Sequence, residues 1–158
     1  MKRIFQLITF LVFCSMPLLM NAQNYETAVG IRAGAFNGIT AKHFVNGSHA
    51  VEGILNFRWG GFNLTGLYEI HDGAFDAPGL QWYYGFGAHV GFWNGPRAWW
   101  ADEDNSYVGV GVDGVIGLEY TFSEIPVNVS LDWKPALNLI GYSGFWADGG
   151  GLSIRYVF

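Results

Sequence analysis

The stretch Phe62–His71, FNLTGLYEIH, decides the fold. Phe62, Leu64, Tyr68 and Ile70 fall on one parity, and Asn63, Thr65, Glu69 and His71 on the other. A period of two over ten residues is a β-strand with one apolar and one polar face. Gly60–Gly61 precedes it and the turn-rich segment 72–79 follows, so the strand begins and ends where the chain can reverse.

The same pattern recurs on both sides. Upstream, Val29, Ile31, Ala33 and Ala35 oppose Glu26, Arg32 and Gly34, while Val51, Leu55, Phe57 and Trp59 oppose Glu52, Asn56 and Arg58. Downstream, Trp82, Tyr84, Phe86, Val90 and Phe92 oppose Gln81, Gly85, Gly87, His89 and Gly91. Farther on, Val108, Val110, Val112, Ile116, Leu118 and Tyr120 oppose Asp113 and Glu119. Turn signals at 37–38, 46–47, 60–61, 72–79, 94–106, 123–126 and 141–148 make seven connections. They separate eight expected strands, at 25–36, 39–45, 50–59, 62–71, 80–93, 107–122, 126–140 and 149–158. No segment after Gln23 carries helical periodicity. An even set of antiparallel neighbours of this length suits an all-β, eight-stranded up-and-down barrel.

Composition decides which face points inward. The chain is 51% hydrophobic and 18% aromatic, but only 13% charged, against about 25% in ordinary soluble domains. The apolar face is too bulky for an eight-stranded bore, which side chains only just fill. The polar face is mostly Gly, Ser, Thr and Asn, with isolated charges that nearly balance. Glu26, Glu52, Glu69, Asp113, Glu119 and Asp132 stand against Arg32, Lys42, Arg58, Lys134 and Arg155, with His89 among them. Such a set suits a narrow interior, where an unpaired charge costs several kcal/mol. The apolar face then points outward into lipid, where a closed barrel satisfies every backbone group. Trp59, Tyr68, Trp82, Tyr84, Phe92, Tyr120 and Trp133 become aromatic girdles at the membrane boundaries. In LDWKPALNL, Leu131–Leu139, Asp132 and Lys134 then face the bore, and Pro135 marks a bulge or break at the outer boundary.

At the N-terminus, Lys2 and Arg3 precede an apolar run to Met20 and a small residue, Ala22. This reads as a cleaved secretory signal peptide over residues 1–22, leaving 23–158 as the barrel. The single cysteine, Cys14, lies within that segment, so the mature chain has no disulfide. Without Lys2 and Arg3 the chain carries six basic residues against thirteen acidic ones, a balance that argues against nucleic acid as a partner.

The chain ends in LSIRYVF, with Leu152, Ile154, Tyr156 and Phe158 outward and Ser153 and Arg155 inward. A terminal Phe158 with an aromatic two residues earlier resembles the C-terminal signature of bacterial outer-membrane β-barrels. The mature chain as a whole is similar to the OmpX family and the OmpA membrane domain. That resemblance implies a Gram-negative outer-membrane location, both ends in the periplasm, and Tyr156 and Phe158 as a signal to the barrel assembly machinery. Outer-membrane lipid and lipopolysaccharide are its implied surroundings. With Phe158 read as the end of the last strand, no attached peptidoglycan-binding domain is expected.

The candidate chemistry is sparse. The loop NGPRAWWADEDNS offers Trp99, Trp100, Asp102, Glu103 and Asp104 as a surface contact, but has no EF-hand spacing for a metal. No serine stands opposite His43 or His89 at an outer rim, as lipid-modifying chemistry would want. Gly85, Gly87 and Gly91 beside Gly109, Gly111 and Gly117 leave room for a local cavity between the fifth and sixth strands. The expected function is therefore a non-enzymatic, cofactor-free barrel with a structural or surface-interaction role. A narrow conduit or small-molecule binder is the alternative, and a lipid-modifying enzyme ranks below it.

Overall fold

A computed structural model describes residues 25–58, 60–94, 106–141 and 144–158. The expected signal segment, Trp59 and the loop carrying Trp99, Trp100, Asp102, Glu103 and Asp104 lie outside these residues, as does the Arg58 side chain. Among the described residues all regular structure is β, and every strand pairing is antiparallel.

The strands run β1 Thr27–Gly34, β2 Asn37–Phe44, β3 His49–Arg58, β4 Gly61–Gly73, β5 Leu80–Asn94 and β6 Ser106–Thr121. They continue as β7 Val127–Trp133, β8 Ala136–Ile140, β9 Gly144–Trp146 and β10 Gly150–Val157. Neighbours in sequence pair from β1 to β6, β6 pairs with β7 and β8, and β10 joins β7 to β1. The sheet therefore closes on itself. β7 with β8 forms one broken stave and β9 with β10 the next, giving an eight-stranded up-and-down barrel. Closure pairs both edges of every strand but β9, which pairs with β8 alone among the described residues, and such pairing is what makes an apolar surround tolerable.

The break in the seventh stave falls at Lys134–Pro135, because proline cannot donate to a ladder. Pairing survives around it: Gly114 N donates to Pro135 O at 2.9 Å, and Lys134 N to Gly149 O at 3.2 Å. The register of β6 against β8 then slips between Val110 and Gly111. The eighth stave is interrupted at the same height, and Trp133 Nε1 bridges the two interruptions by donating to Ala147 O at 2.6 Å.

Turn chemistry fixes the other reversals. Asn46 Oδ1 accepts from the Ser48 and His49 amides at 3.0 and 2.9 Å, tightening the β2–β3 hairpin. Gly60 adopts φ +72° at the β3–β4 reversal, a conformation closed to most other residues. At the closing seam, Thr27 and Phe158 exchange backbone hydrogen bonds of 3.0 and 2.9 Å, so the last residue is part of the wall.

The wall is apolar on the outside. Ile31, Phe86 and Leu131 are 63–69% exposed, and they lie among a continuous surface of Val, Leu, Ile and aromatic side chains. The largest fully buried side chains include Arg155, Tyr83, Lys42, Glu69 and Glu119. This is the inverse of a soluble protein, whose charged residues stay outside.

Candidate functional site

The bore holds three groups of polar side chains, stacked from the end bearing the termini to the far end. Each residue reaches it because alternate positions of a strand face one side.

The first group centres on Lys42, in β2. Its Nζ lies 2.8 Å from Glu69, 2.9 Å from Glu119 and 3.7 Å from Glu52, and the residue is fully buried. Arg155 donates to Glu52 Oε1 at 2.5 Å, to Ser130 Oγ at 2.8 Å and to Asn128 Oδ1 at 3.2 Å. Thr40 donates to the same Glu52 oxygen. His71 joins through Nε2, 3.0 Å from Glu69, and stacks at 5.0 Å on Tyr83. Tyr25 closes the group from the terminal end by donating to Glu119 Oε1 at 2.8 Å. Two cations thus serve three carboxylates, and buried ion pairs of this kind hold only when hydrogen bonds satisfy the remaining lone pairs.

The second group lies at mid-height. Arg32 grips Asp132 with both terminal nitrogens, at 2.6 and 2.5 Å, and Tyr83 donates to Asp132 Oδ2 at 3.0 Å. The Tyr83 ring also lies beneath Lys42 Nζ, 4.2 Å from the centroid, which links this group to the first. Ile54, Leu67 and Val115 pack with Tyr83 into a small apolar cluster inside the bore.

The third group faces the far end. Asp113 accepts from Lys134 Nζ at 2.5 Å and lies 2.7 Å from His89 Nδ1, while His89 Nε2 lies 2.6 Å from Asn138 Oδ1. Arg32, Lys42, Glu52, Glu69, His89, Asp113, Glu119, Asp132, Lys134 and Arg155 therefore all point into the bore and form contacts there.

Glu26 is the exception and corrects the expectation that placed it with them. It precedes the first residue of β1, with its carbonyl still accepting from Phe44 N at 2.8 Å, and its exposed side chain lines a recess of about 500 Å³ at the terminal mouth. Parity aims it inward, but at the rim it stays exposed. Between the fifth and sixth strands, where a local cavity was the lesser reading, rings stand against several of the glycines. A Cβ on Gly117 would come within 2.7 Å of the Tyr83 ring, on Gly111 within 2.6 Å of His89, and on Gly91 within 2.0 Å of the Trp93 ring. The glycines leave space that Tyr83, His89 and Trp93 fill.

Tyr83, Trp93, His71 and Tyr25 are among the bore residues outside the expected network, with Thr40, Asn128, Ser130 and Asn138. Parity was the available signal for all but Tyr25, which shares the parity of the outward Val29 and Ile31 and lies before β1, and glycines beside Tyr83 and Trp93 add to it. On the outside, Tyr68, Trp82, Tyr84 and Tyr120 belong to the terminal half of the wall, with Trp82 and Tyr84 rings 5.2 Å apart. Phe92 packs on Phe62 at 5.0 Å near the far end, and Trp133 lies exposed at the strand break. Tyr156 and Phe158 lie beside each other on the closing stave, ring centroids 6.2 Å apart. Among the described residues no group of three His, Cys, Asp or Glu side chains is arranged to hold a metal ion.

No family model matches the chain, and no curated protein matches it. Among solved structures, it is similar to the crystal structure of the N-terminal β-barrel domain of Pseudomonas aeruginosa OprF, with a TM-score of 0.66 at 15% identity. The match covers 84% of this chain and 96% of that one. At that identity the likeness is one of fold, an antiparallel β-barrel.

Proposed function

We propose that this chain is an outer-membrane β-barrel of a Gram-negative bacterium, exported behind a cleaved leader at residues 1–22. Its role is structural or as a surface contact, and it carries out no catalysis. The observation that supports this reading is the inversion of burial: arginine, lysine and glutamate fill the interior while Ile31, Phe86 and Leu131 face outward. Water would strongly oppose so much exposed apolar surface, whereas a hydrocarbon solvent favours it. The long strands agree, since β4, β5 and β6 have 13, 15 and 16 residues and a crossing needs about 9–11. Lipid and lipopolysaccharide are then its surroundings, the termini lie in the periplasm, and Tyr156 with Phe158 addresses the assembly machinery.

The interior acts as a polar core. Tyr83, Arg32 and Asp132 meet at mid-height beside Ile54, Leu67 and Val115, where a conduit would need open space. Membrane fractionation and heat-modifiable migration of the detergent-extracted protein test the location. Recovery in the aqueous periplasm would overturn it. A narrow conduit is the second reading, favoured by the recess of about 500 Å³ at the terminal mouth. Planar-bilayer recording separates the two, because a filled bore gives no reproducible single-channel steps.

A further inference from the structure

We infer that the far mouth of the bore is a binding site for a neutral polyhydroxylated ligand, a saccharide unit, one hydroxyl of which enters the barrel and donates to Asn56. Nothing in the structural role requires such a site, and its chemistry does not depend on which side of a membrane it faces.

Three observations carry the inference. The first is an unmet acceptor. Asn56 is only 2% exposed and lines the mouth, yet its Oδ1 has no hydrogen-bond partner. Buried amide oxygens are almost always satisfied, so this one calls for a donor from outside the chain. The opening that it lines encloses about 20 Å³, room for a hydroxyl-sized group.

The second is charge. Asp113 already holds Lys134 through Oδ1 and His89 through Oδ2, and Asp148 brings a second carboxylate to the opening, so an anion is disfavoured there. A cation that reached Asn56 would shed its water for a single amide oxygen. A neutral hydroxyl makes the same bond at far lower desolvation cost.

The third is the shape of the rim. Phe36 and Trp146 stack at 6.4 Å with an interplanar angle of 27°, and Trp93 forms the inner wall. Flat aromatic faces beside amide groups match a sugar, which presents a C–H face and a fringe of hydroxyls. Asn63 and Asn138 supply further amides along the same opening.

The test uses the full barrel in phospholipid nanodiscs, free of lipopolysaccharide and of sugar-headed detergent. Glucose, galactose and N-acetylglucosamine are titrated, with inorganic phosphate and choline as charged comparisons. Tryptophan fluorescence and the side-chain amide resonance of Asn56 are followed. At least one sugar is expected to bind with millimolar affinity and to shift the Asn56 resonance. Asn56→Leu should weaken that binding about tenfold while heat-modifiable migration is kept. Should Asn56→Leu fail to fold, Trp146→Ala removes one rim ring and should weaken the same sugar. A response to phosphate or choline alone would overturn the inference. So would sugar binding indifferent to both variants, or no response to any sugar.

Discussion

Arg32 and Asp132, a hundred residues apart in the chain, form a two-pronged ion pair at 2.6 and 2.5 Å inside the barrel. The pair spans β1 and β7, which do not touch through their backbones; β10 lies between them. Gly151 makes this possible, since a Cβ there would sit 2.4 Å from the guanidinium carbon.

Removing one partner should therefore cost more than the pair contributes. Asp132→Ala is expected to destabilise the barrel by about 3–5 kcal/mol, because it leaves a buried guanidinium without its counter-ion. The double variant Arg32→Met/Asp132→Leu should recover most of that loss. Urea unfolding in lipid vesicles, followed by heat-modifiable migration, measures both. Equal destabilisation of the single and double variants would show that the charges themselves are not the issue.

The second prediction concerns the tight fit between Trp93 and Gly91. Gly91→Val is expected to overpack the bore, at a cost of about 1–3 kcal/mol. Adding Trp93→Ala should relieve it, so the two changes should be strongly non-additive. A double-mutant cycle by the same unfolding measurement decides; simple additivity would mean the ring does not occupy the glycine's space.

On the outer wall, Phe86 lies midway along β5 and is 69% exposed. Phe86→Arg should cost about 2–4 kcal/mol if that surface meets the hydrocarbon midplane. Phe75 is more exposed still, but it lies in the β4–β5 connection beyond the sheet. Phe75→Arg should be close to neutral. A soluble barrel would tolerate both.

The fourth prediction separates the two roles of the chain end. Phe158→Ala keeps the backbone exchange with Thr27, whereas deleting Phe158 removes it. The alanine variant should refold nearly normally into pure lipid but assemble slowly in cells. The deletion should be impaired in both. Normal cellular assembly of Phe158→Ala would count against the terminal aromatic as a targeting signal.

Much of this was legible in the sequence, because the period of two states which residues share a face and near-neutral charge states which face is enclosed. Lys42, Glu52 and Arg155 followed from parity alone. What parity does not state is height. Glu119 meets Lys42 through the stagger of the strands around the barrel, and Glu26 stays exposed because it sits at the terminal mouth. Tyr83 and Trp93 were missed for a different reason. Aromatic side chains score as outward in an apolar-face reading, and it takes parity together with the nearby glycines to show that these two turn in. Tyr83 stands opposite Gly117 in the β5–β6 ladder.

The interruption at Pro135 divides the molecule by permanence. Below it every strand is held on both edges. Above it β9 pairs only with β8 among the described residues, and beyond the bond from Ala35 N to Gly150 O the gap to β1 is closed by the rings of Phe36 and Trp146. Side chains part more readily than ladders. Amide hydrogens of β8 and β9 should therefore exchange with solvent well before those of β1 to β6. The barrel is a fixed vessel with a collar that is stitched along one seam by side chains.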